Sequence, residues 1–352
     1  MHSSISSLIT SEPEAPFLRA CRGLPTHHTP VWFMRQAGRY MAEYRAIREK
    51  YSLLEICYQP ELAAEVTLQP VRALGVDAAI LFADILLPVI PLGRGLEFAQ
   101  GEGPVIGKPV RTMEDILALH PVDAETDLAY VMQAIRILRG ELWETPLIGF
   151  CGAPFTVASY LIEGSSTREF LKTKTMMYST PEVWHALMEK LSVLLAEYLS
   201  AQIQAGAQAV QVFDSWVGTL SPQDYERFVL PYSRRVLQTA QALGVPAIHF
   251  GTNTATLLPL MKCAGGDVIG LDWRVPLDDG WKLLGDKVAV QGNLDPAVLF
   301  APLPEIKARV GDILRRAGGR PGHIFNLGHG ILQHTPVDAV RAVVELVHAY
   351  GN

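Results

Sequence analysis

The stretch PAIHFGTNTATLLPLMKCAGGDVIGLDWRVPLDDGWKLLGDKVAVQGNLDP, residues 246–296, holds three short runs in close succession, at 247–250, 268–271 and 288–291. Each is largely apolar on consecutive positions, is rich in Val, Ile or Phe, and stops at a polar or turn-forming residue. Runs of that kind read as strands buried on both faces, which is the condition of parallel strands covered by helices. Five more lie at 31–34, 78–82, 147–150, 209–213 and 323–327. Segments of helical periodicity alternate with them, among them 181–205 and 224–243, and that alternation predicts a parallel sheet. Eight strands match a closed barrel, so the expected fold class is α/β, a (β/α)8 TIM barrel. An open doubly wound sheet is the alternative, but no phosphate-binding glycine fingerprint follows an early strand.

The spacing loosens between the second and third strands, which places an insertion there. Its PLGRGLEFAQGEGPVIGKPV segment, 91–110, is dense in Gly and Pro and reads as a loop excursion or a small hairpin. The expected organisation is a partly flexible N-terminal extension, 1–28, followed by one barrel domain, 29–352.

Composition limits the function classes. With 49% hydrophobic and 19% charged residues, the 352-residue chain can bury a sizeable core. A net charge of −6 offers no broad attraction for nucleic acid or an anionic membrane, so local basic clusters read as sites. Cys21, Cys57, Cys151 and Cys263 show no paired spacing, against both a disulfide framework and a zinc motif. The opening MHSSISSLITSEPEAP has neither a basic nor an apolar leader region, and no apolar run of spanning length follows. The cytoplasm is the expected location.

In such a barrel the site forms where strands end, and those positions are polar here. The first strand runs into RQAGRY (Arg35 to Tyr40), the second into Asp84, the fourth into Asp214, Ser215 and Trp216, and the eighth into Gly328, His329 and Gly330. Arg35, Arg39, Arg45 and Arg48 cluster in an acidic chain and suit a ligand with several carboxylates. Arg45 and Arg48, three apart on a helix, suit a solvated face equally well. Asp84 sits in the apolar run LFADIL, where a carboxylate is costly to bury unless donors converge on it; a helix cap or a structural ion pair is the plainer reading. Tyr160 and Ser215 present hydroxyls near strand ends, and His329 lies in a permissive glycine-flanked turn. Phe150, Phe155 and Phe213 can form an apolar wall over a flat ligand or simply pack the core.

Together these residues carry a pattern. PVWFMRQAGRYMAEYR (30–45) and GFCGAPFTVASYLIEG (149–164) resemble the two signatures of the uroporphyrinogen decarboxylase family. The likeness continues through LFADIL, QVFDSWVG, HFGTN, QGNLDP and NLGHGI, covering nearly everything after about Thr29.

The resemblance implies removal of carbon dioxide from the four acetate side chains of uroporphyrinogen, without cofactor or metal, by a homodimer. It implies Asp84, Arg35, Arg39, Tyr160 and His329 as catalytic residues. It adds Ser215 and Arg48 to substrate binding, beside the Phe150 and Phe213 wall. A related barrel class, the corrinoid-linked methyltransferases, carries a zinc site of the form His-x-Cys; here His249 is followed by Phe250 and Gly251, which lack the thiolate. A non-catalytic tetrapyrrole carrier would also want arginines, but it has no use for a buried carboxylate beside them.

Overall fold

Nine strands order the described residues: β1 Ala79–Ile80, β2 Leu96–Ala99, β3 Gly103–Ile106, β4 Leu147–Gly152, β5 Ala209–Asp214, β6 Ala247–Gly251, β7 Val268–Gly270, β8 Ala289–Gln291 and β9 His323–Ile324. In this computed structural model, which describes residues 14–99 and 103–351, β1-β4-β5-β6-β7-β8-β9 form one seven-stranded parallel sheet. Helices lie between successive strands of this sheet, so each crossover sets the next strand parallel beside the last, as a TIM-like barrel demands.

The eighth stave differs from expectation. The run 31–34 contributes a single parallel bridge, Val31 to Phe325. Val31 nonetheless closes the ring: Phe325 N–H donates to Pro30 O at 2.8 Å, and Asp77 N–H donates to Val31 O at 2.8 Å. The strand ends because Gln36 folds back on it, its side chain accepting from Phe33 N–H at 3.1 Å while its own N–H donates to Phe33 O at 3.0 Å. The run 78–82 is likewise cut to two residues, since Phe82 N–H turns to the Thr67 hydroxyl at 2.8 Å instead of a neighbouring strand. Strand β4, in contrast, runs two residues beyond the expected 150.

The helix expected over 224–243 is two, Pro222–Phe228 and Leu230–Ala242, broken at Val229. Pro231 has no N–H to give the carbonyl four residues back, so one continuous helix is not available there. Helix Pro181–Ala205 has the expected bounds. Between β1 and β4, strands β2 and β3 pair antiparallel as a two-stranded hairpin.

Residues 1–13 of the expected N-terminal extension lie outside the described residues. Those that follow join the fold: helix Pro16–Cys21 packs against β9 and buries Phe17 and Ala20 in the common core. No helix among the described residues is long and apolar enough to cross a membrane.

The barrel interior is threaded by amides. Trp32 Nε1 donates to Gln291 Oε1 at 2.9 Å, and Gln291 Nε2 to Gln211 Oε1 at 3.1 Å. A second amide replaces a missing strand. Beyond Ile148 the partner β1 has ended, and Gln202 from helix Pro181–Ala205 takes up both groups of Phe150: its Oε1 accepts the Phe150 N–H at 2.8 Å and its Nε2 donates to the Phe150 O at 2.9 Å. Gly149 permits this approach, since a Cβ there would stand 2.6 Å from Gln202 Oε1.

Replacing Gln202 with Leu strands two buried backbone groups and is expected to destabilise the fold by about 2–4 kcal/mol. Gln204→Leu, at an exposed position two residues on, should stay within about 0.5 kcal/mol. Calorimetric melting of the two variants checks this; equal Tm values would mean that the Phe150 backbone finds other partners.

Candidate functional site

A cavity of about 590 Å³ opens at the C-terminal ends of the strands. Eight of the nine residues assigned above to catalysis or substrate binding line it: Arg35, Arg39, Asp84, Phe150, Tyr160, Phe213, Ser215 and His329. Arg48 is the exception. Its guanidinium donates to Tyr51 O at 2.7 Å, while Arg45 holds the Arg39 and Tyr40 carbonyls at 3.0 and 2.9 Å, so both serve the backbone around the mouth.

The floor is aromatic. Phe150, Phe213 and Phe250 stand on adjacent strands β4, β5 and β6, with centroids 5.5 Å apart for the first pair and 6.1 Å for the second, both edge to face. Phe250 lines the cavity although the sequence weighed it only as a position lacking a zinc-binding thiolate. His249 is fully buried beneath the mouth, its Nε2 3.9 Å from Asp214 Oδ2. Trp216 also escaped the sequence reading as a site residue; its ring lies 3.9 Å from that of Tyr160 and 4.9 Å from that of Phe170, fixing the phenol's direction. The β2–β3 hairpin reaches the same cavity through Phe98, Gly103 and Pro104.

Asp84 follows β1 and accepts one hydrogen bond, from Leu86 N–H at 2.8 Å. Burial pushes its carboxyl above the usual carboxylate range; the Leu86 N–H and the Arg35 charge pull the other way without cancelling that rise. Among the described residues neither Arg35 nor Arg39 forms an ion pair with a carboxylate. Two cations and one under-solvated anion therefore face one space.

Arg35 reaches that space by a strained route. Its φ is 60°, the left-handed region that costs a non-glycine residue roughly 1 kcal/mol or more. Its stem then lies against Gly330, where a Cβ would stand 2.5 Å from Arg35 Cδ. The glycine after His329 is thus the seat of the arginine.

Tyr160 and His329 supply neutral donors. Burial and the Asp84 charge push the Tyr160 phenol up to about 12, with Arg35 partly opposing. Burial, then the charges of Arg35 and Arg274, hold His329 below the ordinary imidazole value. Gly330 N–H donates to His329 Nδ1 at 2.7 Å, so the neutral ring carries its proton on Nε2. Cys21, Cys57 and Cys151 are buried and Cys263 is exposed, and none lines the cavity.

The chain matches the family model described as Uroporphyrinogen decarboxylase (URO-D) over residues 12–350. That match takes in residues ahead of Thr29, where the recognisable motifs begin. It is 59% identical to a uroporphyrinogen decarboxylase of Carboxydothermus hydrogenoformans over 94% of this chain and 95% of that one. It is 60% identical to one of Sorangium cellulosum over 95% of each. Among solved structures, a methyltransferase from Methanosarcina mazei superposes with a TM-score of 0.79 at 20% identity, covering 94% of this chain and 96% of that one; at that identity the likeness concerns the fold.

The raised carboxyl sets a stability prediction. A carboxyl that holds its proton more tightly when folded costs the fold stability as pH rises from the ordinary carboxylate range through its raised value, and the cost persists above it. Asp84→Asn keeps an oxygen for the Leu86 N–H and removes the charge. Its Tm at pH 7 is expected above that of the unmodified protein, the difference closing as pH falls to about 4. A lower Tm at pH 7 would show that the ionised carboxylate is no burden to the empty site.

Proposed function

The chain belongs to the uroporphyrinogen decarboxylase family, and from that premise we propose how its cavity removes carbon dioxide from the four acetate side chains of uroporphyrinogen III to give coproporphyrinogen III in tetrapyrrole biosynthesis. The reading makes it a carbon–carbon lyase working without cofactor, as a homodimer in the cytoplasm. The observation that carries it is the pairing of one desolvated carboxylate, Asp84, with two arginines that lack carboxylate partners among the described residues, in one aromatic-floored cavity.

The substrate is a bowl of four pyrroles with N–H groups turned inward and carboxylates on the rim. Asp84 offers a single acceptor to several N–H donors, which offsets its desolvation when the ligand is present. Arg35 and Arg39 hold the rim carboxylates, and Phe150, Phe213 and Phe250 exclude water beneath the rings.

Decarboxylation leaves an electron pair that requires a sink. Protonation of a pyrrole ring carbon makes the ring cationic; the C–C bond to the carboxylate then breaks, carbon dioxide leaves, and its electron pair neutralises the ring. The side-chain carbon takes a proton to become methyl, and the ring carbon returns the first one. The ring cation forms beside Asp84. Bringing such a pair from water to a partly buried site strengthens it at 4 Å from about 1 to about 4 kcal/mol, worth roughly a hundredfold in rate. Positioning of the rings and fixed dipoles must contribute the remainder. Tyr160 O–H and His329 Nε2–H are the neutral donors at the wall, and a guanidinium is poorly matched to acid catalysis near neutrality.

Anaerobic incubation with uroporphyrinogen, followed by oxidation and chromatography, should yield coproporphyrin; binding without carboxyl loss would select a carrier instead. Asp84→Asn should lower kcat by about a hundredfold or more, and near-normal turnover would overturn the role given to that carboxylate. Gly330→Ala, which displaces the Arg35 stem, should raise KM about tenfold or more, the worth of one charge-assisted hydrogen bond. An unchanged KM would remove Arg35 from substrate binding.

A further inference from the structure

At the opposite end of the barrel from the cavity, three segments distant in sequence bring together His28, Asp77 and His348. His28 lies in the loop after helix Pro16–Cys21, Asp77 two residues before β1, and His348 ends the helix Val337–His348. The Asp77 carboxylate stands between two imidazoles, Oδ1 2.8 Å from His28 Nε2 and Oδ2 2.8 Å from His348 Nε2. Oδ2 also accepts the Val31 N–H at 2.7 Å. The two rings meet edge to face with centroids 4.5 Å apart, and all three ligating atoms lie within 4.8 Å of one another.

We propose that this cluster binds a divalent transition-metal ion of the zinc type through His28 Nε2, His348 Nε2 and one Asp77 oxygen, with water in the fourth position. Zinc sits about 2.0–2.2 Å from nitrogen and oxygen ligands, which places tetrahedral ligand atoms roughly 3.3 Å from one another. The 2.8 Å separation at the ligating oxygen therefore opens by about half an ångström, and the other imidazole, which stands 2.8 Å from the second oxygen, turns toward the ion. His28 on a loop and His348 at a helix end can give that much without moving the sheet. The Val31 N–H fixes the carboxylate from behind, the outer support that ligating carboxylates characteristically have. Side-chain exposures of 17, 12 and 33% leave a face open for ion entry and the water. Two imidazole ligands favour zinc, cobalt, nickel or copper over magnesium or calcium, whose sites are built from oxygen.

The site touches none of the residues assigned to decarboxylation. An ion there fastens the arm before Val31, the start of the barrel and the C-terminal helix to one point, so its effect is on stability.

The test uses the full chain with Cys263→Ser, which removes the exposed thiol, freed of metal by chelation. Titration with Zn²⁺ by calorimetry should show one equivalent bound and a raised Tm. Co²⁺ should give visible absorption of four-coordinate intensity. His28→Gln and His348→Gln should each weaken binding by about tenfold or more, as loss of one of three ligands requires. No Zn²⁺ binding tighter than about 100 μM, or binding unchanged in both variants, would overturn the proposal and leave Asp77 as a clamp between two imidazoles. Turnover of the metal-free protein is read separately, so failure here leaves the decarboxylase reading untouched.

Discussion

A single carboxylate, desolvated and given one backbone N–H, sets the terms for the rest of the cavity. Asp84 accepts from Leu86 and feels the charge of Arg35 without closing an ion pair with it. Had the arginine come within bonding distance, the empty site would be quieter and the anion spent. Held apart, both charges remain to be answered by a ligand, and the fold carries the cost meanwhile through the core that lies beneath the mouth.

The strain at Arg35 belongs to the same arrangement. The chain leaves the Val31 bridge, is folded back by Gln36 and passes through a left-handed residue, which aims the guanidinium across Gly330 into the cavity instead of along the barrel rim. A relaxed backbone at that position would continue the strand. The shortened first stave and the placement of the arginine are therefore one feature, with His329, one residue before Gly330, fixed by that glycine's N–H.

That coupling explains what could be read from the sequence. The parallel barrel was legible because buried strands keep consecutive apolar residues whatever lies between them, and the strand ends marked the mouth. Lengths were less legible: Val31, Phe82 and Val229 are decided by Gln36, by the Thr67 hydroxyl and by Pro231, of which only the proline announces itself locally. Arg48 drew attention by charge density, yet its Nη1 donates to a carbonyl three residues on, a use that composition does not reveal. Trp216 was placed at the mouth but given no role, and Phe250 was passed over, because an aromatic after a strand resembles core. Asp77 stands 49 positions from His28 and 271 from His348, beyond the reach of any spacing rule.

The distribution of charge also restricts what the cavity can hold. A ligand bearing only carboxylates satisfies Arg35 and Arg39 but brings anions toward Asp84, and a cationic ligand does the reverse. A flat hydrophobic ligand fits the phenylalanine floor yet leaves all three charges unanswered in a space from which water has been displaced. A ligand that resolves all three demands has donors at its centre, carboxylates at its edge and an apolar face between. On the proposed reading the cavity discriminates by the penalty of leaving a charge unpaired, a stronger criterion than shape alone, because each unmatched group costs its full desolvation. The aromatic row then adds area without specificity, while Asp84 decides which molecules can stay.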